Sequence, residues 1–388
     1  MGMDEVEIRE ITDGMVYTDF LGARIAAIGV GGGGSNMINH LAKKEGLRAE
    51  INLIAANTDM QHLSKNKAKQ KIQLGKKLTK GLGAGADPQK GREAAEESEV
   101  EISEVLRNYD MVFVSTGLGG GTGTGASPII ADIASKNGAL TVAIVTKPFD
   151  FEGDKRRKVA EEGLRELREK SHCIIVVPNQ RVMSILGNDA SKRAAEEKVN
   201  DVLANAVLGI SNIILGGNGE QDTNVDFADI RTAMENKGLA MMSIGEAYGS
   251  NAAMDATRKA IDSEMLNHEN LKGAQGLIAC FELHPNYPIN QLEEACKLIS
   301  SLGTESTNMK FGHYFSEELK EDYVRVTFVA TGFENEVTIN SIDKESVKDL
   351  PMTDESFIPH TTRVANGDVY LIDKNGLDEP AYIRNKQD

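Results

Sequence analysis

The chain has 388 residues, of which 40% are hydrophobic and 26% are charged, so it is long enough for two packed domains and too ordinary in composition for wholesale disorder. Its formal net charge of -16 would repel a phosphate backbone, which disfavours broad electrostatic binding to nucleic acid or to an anionic membrane. Three cysteines without a paired metal-ligand spacing are typical of a reducing compartment. Because apolar runs such as residues 139–145 are shorter than the roughly 18 residues that span a membrane, we expect a cytoplasmic protein.

Short apolar runs alternate with amphipathic stretches after an N-terminal extension, residues 1–20. The strand-like runs are residues 24–30, 51–56, 111–115 and 140–146. Several of them lack polar alternation, as expected for strands that are buried on both faces. This pattern predicts a domain over residues 21–190 in which helices cover a parallel sheet, and its ligand should bind at the carboxyl ends of the strands.

The second half of the chain begins with a long predicted helix over residues 191–215, because apolar residues from Val199 to Ile214 repeat at helical spacing. We assign residues 191–220 to this central helix and its glycine-rich end. Residues 221–335 then read as a smaller α/β domain. Its predicted helices are residues 226–236, 251–265 and 290–302, and its predicted strands are residues 276–283, 309–314 and 323–330.

The first glycine-rich segment, residues 29–36 with the sequence GVGGGGSN, lies between a predicted strand and a predicted helix. Glycine lets a backbone approach a phosphate closely, and a helix N-terminus offers unpaired amides. A dinucleotide fingerprint through Gly29, Gly31 and Gly34 fits equally well, so an NAD-dependent oxidoreductase is an alternative at this point. A P-loop does not fit, because no Gly-Lys-Ser/Thr follows.

A second glycine-rich segment, residues 117–125 with the sequence GLGGGTGTG, also follows a strand and precedes a helix. Six of its nine positions are glycine, whereas a tight turn needs one or two. Two such turns in one sheet can surround a di- or triphosphate from two sides. Thr122 and Thr124 would add hydroxyl donors.

The stretch GGGTGTG at residues 119–125 resembles the signature loop of the tubulin superfamily and of its FtsZ family. Colinear matches are NTD at 57–59, GLGAG at 81–85, KPFDFEG at 147–153 and NVDFAD at 224–229. The resemblance implies the tubulin/FtsZ fold, in which a Rossmann-like parallel-sheet GTPase domain is joined by a long central helix to a smaller α/β domain. It also implies a GTPase that polymerises head to tail into filaments of the cell-division ring and hydrolyses GTP at the subunit interface.

The resemblance further assigns the residues that bind GTP or GDP. Glu152 and Arg156 fall on the ribose and phosphate side. Asn179 and Asn200 match the guanine contacts, and an amide can serve a purine edge as both acceptor and donor. Mg²⁺ is expected to accompany the nucleotide, without a cluster of protein metal ligands. The remaining positions assigned to nucleotide binding are Gly32, Gly33, Asn36, Asn57, Gly119, Gly120, Gly121, Thr122, Gly123 and Thr124.

By the same resemblance, Asn224, Asp226 and Asp229 lie on the segment that completes the active site of the next subunit. Two carboxylates three residues apart at a helix start share one face and can orient a water. The residues alone fit helix capping equally well, since Asp is favoured at that position. One position departs from the family: Glu196, one helical turn before Asn200, replaces an aromatic residue that stacks on guanine. Glu196 either weakens base binding or accepts a hydrogen bond from the guanine amino group.

We interpret residues 336–374 as a flexible linker and residues 375–388 as a partner-binding peptide. The segment from Leu377 to Arg384, LDEPAYIR, combines acidic residues, a proline and apolar anchors, as docking peptides do. It resembles the FtsZ-family terminal peptide that binds membrane-tethering adaptors such as FtsA, although Glu379 stands where relatives often have an aliphatic residue.

We therefore expect the chain to assemble with itself, to bind such an adaptor and other division regulators, and to lie at the mid-cell ring beneath the inner membrane. Nucleic-acid binding and direct membrane insertion are not expected. A non-hydrolysing scaffold is a further alternative, and the presence of both Asp226 and Asp229 disfavours it.

Overall fold

The computed structural model describes residues 23–44, 47, 49–186, 190–215, 226–235, 238–263, 266, 274–304, 306–333, 362–365 and 368–371. The described residues up to 333 belong to one compact unit, and residues 362–371 belong to a second unit. The prediction of an α/β fold is correct: a ten-stranded, mostly parallel sheet is packed with helices.

The strands of the compact unit are β1 Ile25–Val30, β2 Ile51–Asn57, β3 Gln70–Gln73, β4 Met111–Gly117, β5 Leu140–Lys147, β6 Cys173–Pro178, β7 Gly238–Tyr248, β8 Gly276–Leu283, β9 Asn308–Phe315 and β10 Tyr323–Phe333. Their order in the sheet is β3-β2-β1-β4-β5-β6-β7-β10-β8-β9. Every neighbouring pair is parallel except the two pairs made by β10. We call the end of the sheet where β1 and β4 finish the carboxyl edge and the opposite end the amino edge.

The helices of the compact unit are α1 Gly31–Leu41, α2 Met60–Ser64, α3 Pro88–Glu97, α4 Glu99–Leu106, α5 Thr122–Lys136, α6 Asp154–Lys170, α7 Asn179–Leu186, α8 Lys192–Leu215, α9 Phe227–Met234, α10 Ala252–Ile261 and α11 Ile289–Ser300. Strand β1 is buried along its whole length, and β4 and β5 are buried except at their last residue. These uninterrupted apolar strands require cover on both faces of the sheet, which the helices supply.

Helix α8 is the long central helix, and its observed start lies one residue from the predicted one. Among the described residues it is the one helix long and apolar enough to cross a membrane by length and composition. Half of that apolar window is buried inside the protein, where Val199, Leu203, Val207 and Ile210 join the main core. We therefore interpret α8 as a core helix that packs against α1, α7, β5 and β6.

Strand β7 makes the sheet continuous between the two halves of the chain. It pairs in parallel with β6 through Gly238 and in antiparallel register with β10. The sequence analysis did not predict this strand. A glycine interrupts its pattern at Gly245, where a Cβ would lie 1.9 Å from the carbonyl oxygen of Ala256, so close packing of α10 against β7 requires the glycine.

Two short strands, β11 Thr362–Ala365 and β12 Asp368–Leu371, form an antiparallel pair in the second unit. They lie inside residues 336–374, for which we predicted a linker without regular elements. The sequence that separates them is Asn366-Gly367, a pair favoured in two-residue hairpin connections. The predicted docking peptide, residues 377–384, lies outside the described residues.

Candidate active site

Two helices begin side by side at the carboxyl edge, α1 directly after β1 and α5 shortly after β4. Their turns touch, because a Cβ on Gly31 would lie 2.7 Å from the backbone nitrogen of Gly123. Neither helix has a side-chain N-cap, whereas Asp59, Asp87 and Asp226 cap α2, α3 and α9. The first-turn amides of α1 and α5 are therefore placed together without a capping carboxylate, an arrangement that suits a bound anion.

Most glycines of the second turn are required by close packing. Within residues 117–125 the one positive φ belongs to Gly119, at 95°. A Cβ on Gly121 or Gly125 would lie 2.7 Å or 1.8 Å from backbone atoms at the start of α3. A Cβ on Gly120, in contrast, would have no atom within 4 Å. The excess of glycine that we attributed to a phosphate site thus has a second cause, the approach of α3.

The predicted phosphate-binding residues divide into an accessible set and a buried set. The accessible set is Gly32, Gly33, Asn36, Gly119, Gly120 and Thr122. Thr124 is 3% exposed, and its Oγ1 accepts a hydrogen bond of 2.9 Å from the backbone N–H of Gly119. Gly121 and Gly123 are also buried. These three residues shape the turn, and the accessible set is placed to meet a ligand.

Side chains after β2 connect the two turns. Thr58 Oγ1 lies 2.6 Å from Thr122 Oγ1, which links β2 to the start of α5. Asn57 is 3% exposed; its Nδ2 donates to Ser35 Oγ at 3.4 Å, and its Oδ1 accepts from the backbone nitrogen of Asp59 at 3.1 Å. The predicted nucleotide residue Asn57 therefore makes its described contacts inside the protein, where it holds α1 against β2.

Glu152 and Arg156 lie together beside the second turn. Arg156 Nη1 is 2.6 Å from Glu152 Oε2, and Glu152 Oε1 accepts from the backbone nitrogen of Phe149 at 3.0 Å. A Cβ on Gly119 would lie 2.7 Å from Arg156 Cγ. The structure thus brings the predicted ribose and phosphate pair against the predicted phosphate turn.

Asn179 is the first residue of α7 and follows β6 at the carboxyl edge. Its Oδ1 is buried and has no hydrogen-bond partner among the described residues. An unpaired buried acceptor costs on the order of 1 to 3 kcal/mol, and such atoms are rare in native proteins. A guanine base offers N–H donors that would satisfy this oxygen.

Helix α8 carries the other predicted base contact, Asn200, which is partly buried. Four residues earlier, the Glu196 side chain is 56% exposed, and its Oε1 lies 3.6 Å from Nζ of Lys192. Next to Asn200, Asp201 contacts Lys44 and, at 3.4 Å, His40 at the end of α1. Burial opposes ionisation of Asp201, but hydrogen bonds from Lys44 and His40 and the charge of Lys44 outweigh it and lower the pKa of Asp201. This charged contact fixes α8 against α1.

The predicted catalytic aspartates lie at the N-terminus of α9. Asp226 Oδ1 accepts a hydrogen bond of 3.2 Å from the backbone nitrogen of Ala228, so the capping interpretation is correct for this residue. Asp229 does not cap the helix; its Oδ1 lies 2.8 Å from Nζ of Lys310. Asn224 lies outside the described residues.

Helix α9 packs near the amino edge of the sheet. Arg231 Nη2 donates a hydrogen bond of 2.9 Å to the carbonyl oxygen of Gly138, which lies between the end of α5 and the start of β5. Helix α5 starts at the carboxyl edge and has 15 residues, so its two ends are about 22 Å apart. The structure therefore does not bring Asp226 and Asp229 to the glycine turns of their own chain.

Three contacts at the two parts of the proposed site, the glycine turns and α9, were not predicted. They are the 3.2 Å contact between His62 Nε2 and Asn36 Oδ1, the Arg231 bond to Gly138 and the Lys310 bond to Asp229. Each joins residues that are far apart in the sequence, and single basic residues in a strand or helix carry no local signal of such a partner.

Comparison with known proteins decides the family. Residues 24–187 match the model of the Tubulin/FtsZ family, GTPase domain, and residues 238–334 match that of the FtsZ family, C-terminal domain. The chain is 44% identical over 386 residues to the cell division protein FtsZ of Helicobacter pylori, covering 99% of this chain and 97% of that protein. The chain belongs to the Tubulin/FtsZ family.

Other relatives agree with this assignment of an FtsZ-family chain. It is 42% identical over 379 residues to the cell division protein FtsZ of Pseudomonas aeruginosa, covering 97% of this chain and 92% of the relative. A solved FtsZ dimer from M. jannaschii superposes with a TM-score of 0.73 at 38% identity, covering 80% of this chain and 89% of the other. CetZ2 from Haloferax volcanii, at 20% identity and a TM-score of 0.68 over 83% of this chain and 99% of the other, shares the fold.

This FtsZ-family chain is a GTPase that hydrolyses GTP to GDP and phosphate. The guanine nucleotide is its substrate, and the carboxyl-edge turns belong to the matched GTPase domain. The oxidoreductase alternative is thereby excluded. It had rested on the first glycine turn alone, where Asn57 rather than an acidic residue ends the second strand.

Proposed function

We propose that this GTPase polymerises head to tail and hydrolyses each GTP between two subunits, where Asp226, Asp229 and Asn224 of one subunit complete the site formed by the glycine turns of the next. The observation that supports this proposal is that the glycine turns and the helix that carries the aspartates lie at opposite ends of the strands of the sheet. The glycine turns lie at the carboxyl edge, while Arg231 of the aspartate-bearing helix contacts Gly138 at the amino edge. Stacking subunits along the strand direction brings the two halves together.

Exposed apolar side chains on the same edge as the glycine turns support the proposal that a second subunit covers this surface. Leu82 is 86% exposed, Phe151 is 63% exposed and Met60 is 48% exposed. Met60 and Asp59, the bridge partner of Leu82, follow β2 at the carboxyl edge, and Phe151 adjoins Glu152. Apolar residues grouped at the mouth of a site indicate a protein interface.

Each part of the site has a defined chemical task in this proposal. The accessible amides of Gly32, Gly33 and Gly120 and the Thr122 hydroxyl hold the phosphates at two helix N-termini. Asn179 supplies its unpaired Oδ1 to the guanine N–H groups, with Asn200 as the second base contact. The remaining proposed nucleotide residues are Asn36, Asn57, Gly119, Gly121, Gly123, Thr124, Glu152 and Arg156.

Hydrolysis needs a water held in line with the terminal phosphate. The Asp229 carboxylate, which is free of the capping role of Asp226, is suited to orient that water and to take up its proton. Asp226, the N-cap of α9, and Asn224 are the other residues that we propose for this step. The gain comes mainly from positioning, because phosphoryl transfer requires little covalent chemistry from the protein.

Mg²⁺ fits this site as a companion of the phosphates. Among the described residues there is no group of three His, Cys, Asp or Glu side chains that would hold a metal without the nucleotide. Mg²⁺ is usually bound by substrate phosphates, waters and few protein oxygens, and the paired hydroxyls of Thr58 and Thr122 are of this kind. The ion would neutralise charge on the β- and γ-phosphates.

We further propose that the filaments act in cell division, because relatives that are 44% and 42% identical over nearly the whole chain are named cell division protein FtsZ. The chain would lie in the cytoplasm at the mid-cell ring beneath the inner membrane. The segment from Leu377 to Arg384 would bind a membrane-tethering adaptor such as FtsA, with other division regulators as further partners. The proposed organisation is an extension at 1–20, a GTP-binding domain at 21–190, a central helix at 191–220, a polymerisation domain at 221–335, a linker at 336–374 and a partner peptide at 375–388.

Phosphate release measured against protein concentration tests the proposed interface. Turnover per subunit should rise with concentration and then level off, because each complete site needs two subunits. Pelleting with GTP, GDP and ATP in parallel should give sedimenting filaments with GTP. A turnover per subunit that is constant at all concentrations would show that one chain contains the whole site.

A further inference from the structure

Lys310 holds the proposed catalytic carboxylate of Asp229 across two elements of the fold. Lys310 is the third residue of β9, and Asp229 lies in the first turn of α9. The Nζ and Oδ1 atoms are 2.8 Å apart, with the lysine side chain 29% exposed and the aspartate side chain 46% exposed. The pair thus joins an edge strand to the helix that carries the second half of the site.

The Lys310–Asp229 pair belongs to the surface ion pairs that join separate elements of the fold, unlike the pairs within one helix. Those of Lys297 with Glu293 and of Arg193 with Glu197 join neighbouring turns of one helix, and such pairs contribute little. The lysine of the Lys310 pair is in contrast mostly covered, and its partner comes from another element. Its contact therefore fixes the direction of the carboxylate relative to the sheet.

The charges near Asp229 on the same helix have other partners. Asp226 accepts from the helix backbone, and Arg231 donates to Gly138 and to Glu235 at 3.0 Å. Lys310 is consequently the cation that the described structure places on the Asp229 carboxylate. The bond uses one carboxylate oxygen, Oδ1.

We propose that Lys310 is a positioning residue for GTP hydrolysis: it holds the Asp229 carboxylate in one orientation, and it offsets the carboxylate charge as the neighbouring subunit's triphosphate approaches. The inference rests on the proposed interface mechanism. Two aspartates entering a polyanionic site would repel it, and an adjacent ammonium lowers that cost. A water held by a fixed carboxylate also reacts faster than one held by a mobile carboxylate, because small misplacements cost rate.

The test compares Lys310→Met and Lys310→Arg with Lys297→Met, which removes a lysine from an exposed ion pair on α11. Lys310→Met should lower turnover at saturating GTP on the order of tenfold, less than the hundredfold that a 1 Å misplacement can cost. The protein concentration that the Lys310→Met variant needs for assembly should rise, and the GTP affinity of its unassembled subunit should be unchanged. Lys310→Arg should restore most of the turnover, and Lys297→Met should behave as wild type.

A double variant separates positioning from a general structural effect. In an Asp229→Asn background, Lys310→Met should cause no further loss of turnover, because the lysine acts through the carboxylate. Full turnover in Lys310→Met, or an equal loss in both backgrounds, would overturn the assignment of Lys310. Either result would overturn the role of Lys310 without changing how wild-type turnover depends on protein concentration. If wild-type turnover per subunit instead stays constant at all concentrations, both the interface mechanism and the role of Lys310 are overturned.

Discussion

Arg231 and Gly138 connect the two proposed halves of the active site within one chain. The Arg231 guanidinium donates from Nη2 to the Gly138 carbonyl oxygen at 2.9 Å and also lies over the ring of Phe227, 5.5 Å from its centroid. Gly138 follows α5, whose first residue is Thr122 of the second glycine turn. Helix α5 is therefore a rigid link between the turn that would hold one GTP and the helix that would act on another.

We expect Arg231→Met to lower GTP turnover on the order of tenfold while leaving GTP affinity of the monomer nearly unchanged. The arginine sets the position of α9 and touches no predicted nucleotide residue, so its loss displaces Asp229 without altering the glycine turns. Steady-state hydrolysis and nucleotide titration measure the two effects. Arg157→Met, which removes an exposed partner of Asp154, is the matched control. Equal turnover in both variants would contradict a role for Arg231.

Local sequence patterns predicted the elements that carry most of the fold. Helix α8 was predicted within one residue of its start because its apolar residues repeat over 24 residues. Strand β8 was predicted with its observed bounds, Gly276–Leu283. Strand β7 was not predicted because Gly245 interrupts its pattern. The close packing of Ala256 requires this glycine, and the sequence of the strand does not reveal that contact. The spacing of apolar residues thus predicts elements that have one apolar face. It does not predict an element in which a contact with another element determines the residue type at one position.

The sequence and the family resemblance predicted which residues form the site, whereas their arrangement in space follows only from the fold. The two glycine turns were expected at one edge because both follow parallel strands, and Gly31 and Gly123 do meet there. The sequence gives no indication that Asn57 faces Ser35 or that Asp229 faces Lys310, since these contacts join separate elements. The resemblance supplied residue roles, and only the three-dimensional arrangement shows the separation between Asp229 and the turns.

Asn179→Ala should reduce the preference for GTP over ATP. In the proposed complex the N–H groups of guanine would satisfy the buried Oδ1, whereas adenine lacks the matching donor at its ring nitrogen and would leave the oxygen unpaired. Titration of both nucleotides into wild type and variant measures the preference. Gln180→Ala removes the neighbouring amide, which accepts from Asp150, and should keep the preference. Equal binding of GTP and ATP by the wild type would contradict this role of Asn179.

Glu196→Phe should tighten GDP binding. Glu196 is 56% exposed, lies one helical turn before Asn200 and presents no ring to the base. Stacking of a base on an aromatic side chain contributes on the order of 1 to 3 kcal/mol in single-strand complexes. Glu197→Phe places the same ring on the next position of α8, where it should have no effect. Unchanged or weaker GDP binding by Glu196→Phe would mean that the glutamate already contacts the base.

Removal of residues 377–388 should leave assembly and hydrolysis intact and abolish adaptor binding. The deleted residues begin 39 positions after Thr338, the end of the compact unit. Pelleting, phosphate release and a binding assay with the adaptor measure the three properties. A variant with Tyr382→Ala and Ile383→Ala, which keeps the chain length, should also lose adaptor binding. Loss of GTPase activity on deletion would show that the tail contributes to the fold.

The last prediction concerns the aspartates that lie away from the turns of their own chain. Asp229→Ala should leave GTP affinity nearly unchanged and lower hydrolysis on the order of a hundredfold or more, the scale of one lost acid–base group. Filaments should persist because GTP is not consumed. Thr122→Arg, in contrast, should block the second glycine turn and prevent GTP binding in its own subunit.

Mixing Asp229→Ala with Thr122→Arg should partly restore hydrolysis, because the GTP held by the first chain would face the intact Asp229 of the second. One complete site forms wherever the two chains meet in the right order. The control mixes Asp229→Ala with a chain that carries both substitutions, and it should show no recovery because no subunit then supplies the aspartate. Phosphate release and co-sedimentation are measured on the same samples. If the two chains enter the same filaments and hydrolysis stays at the control level, Asp229 does not act on the neighbouring subunit's GTP.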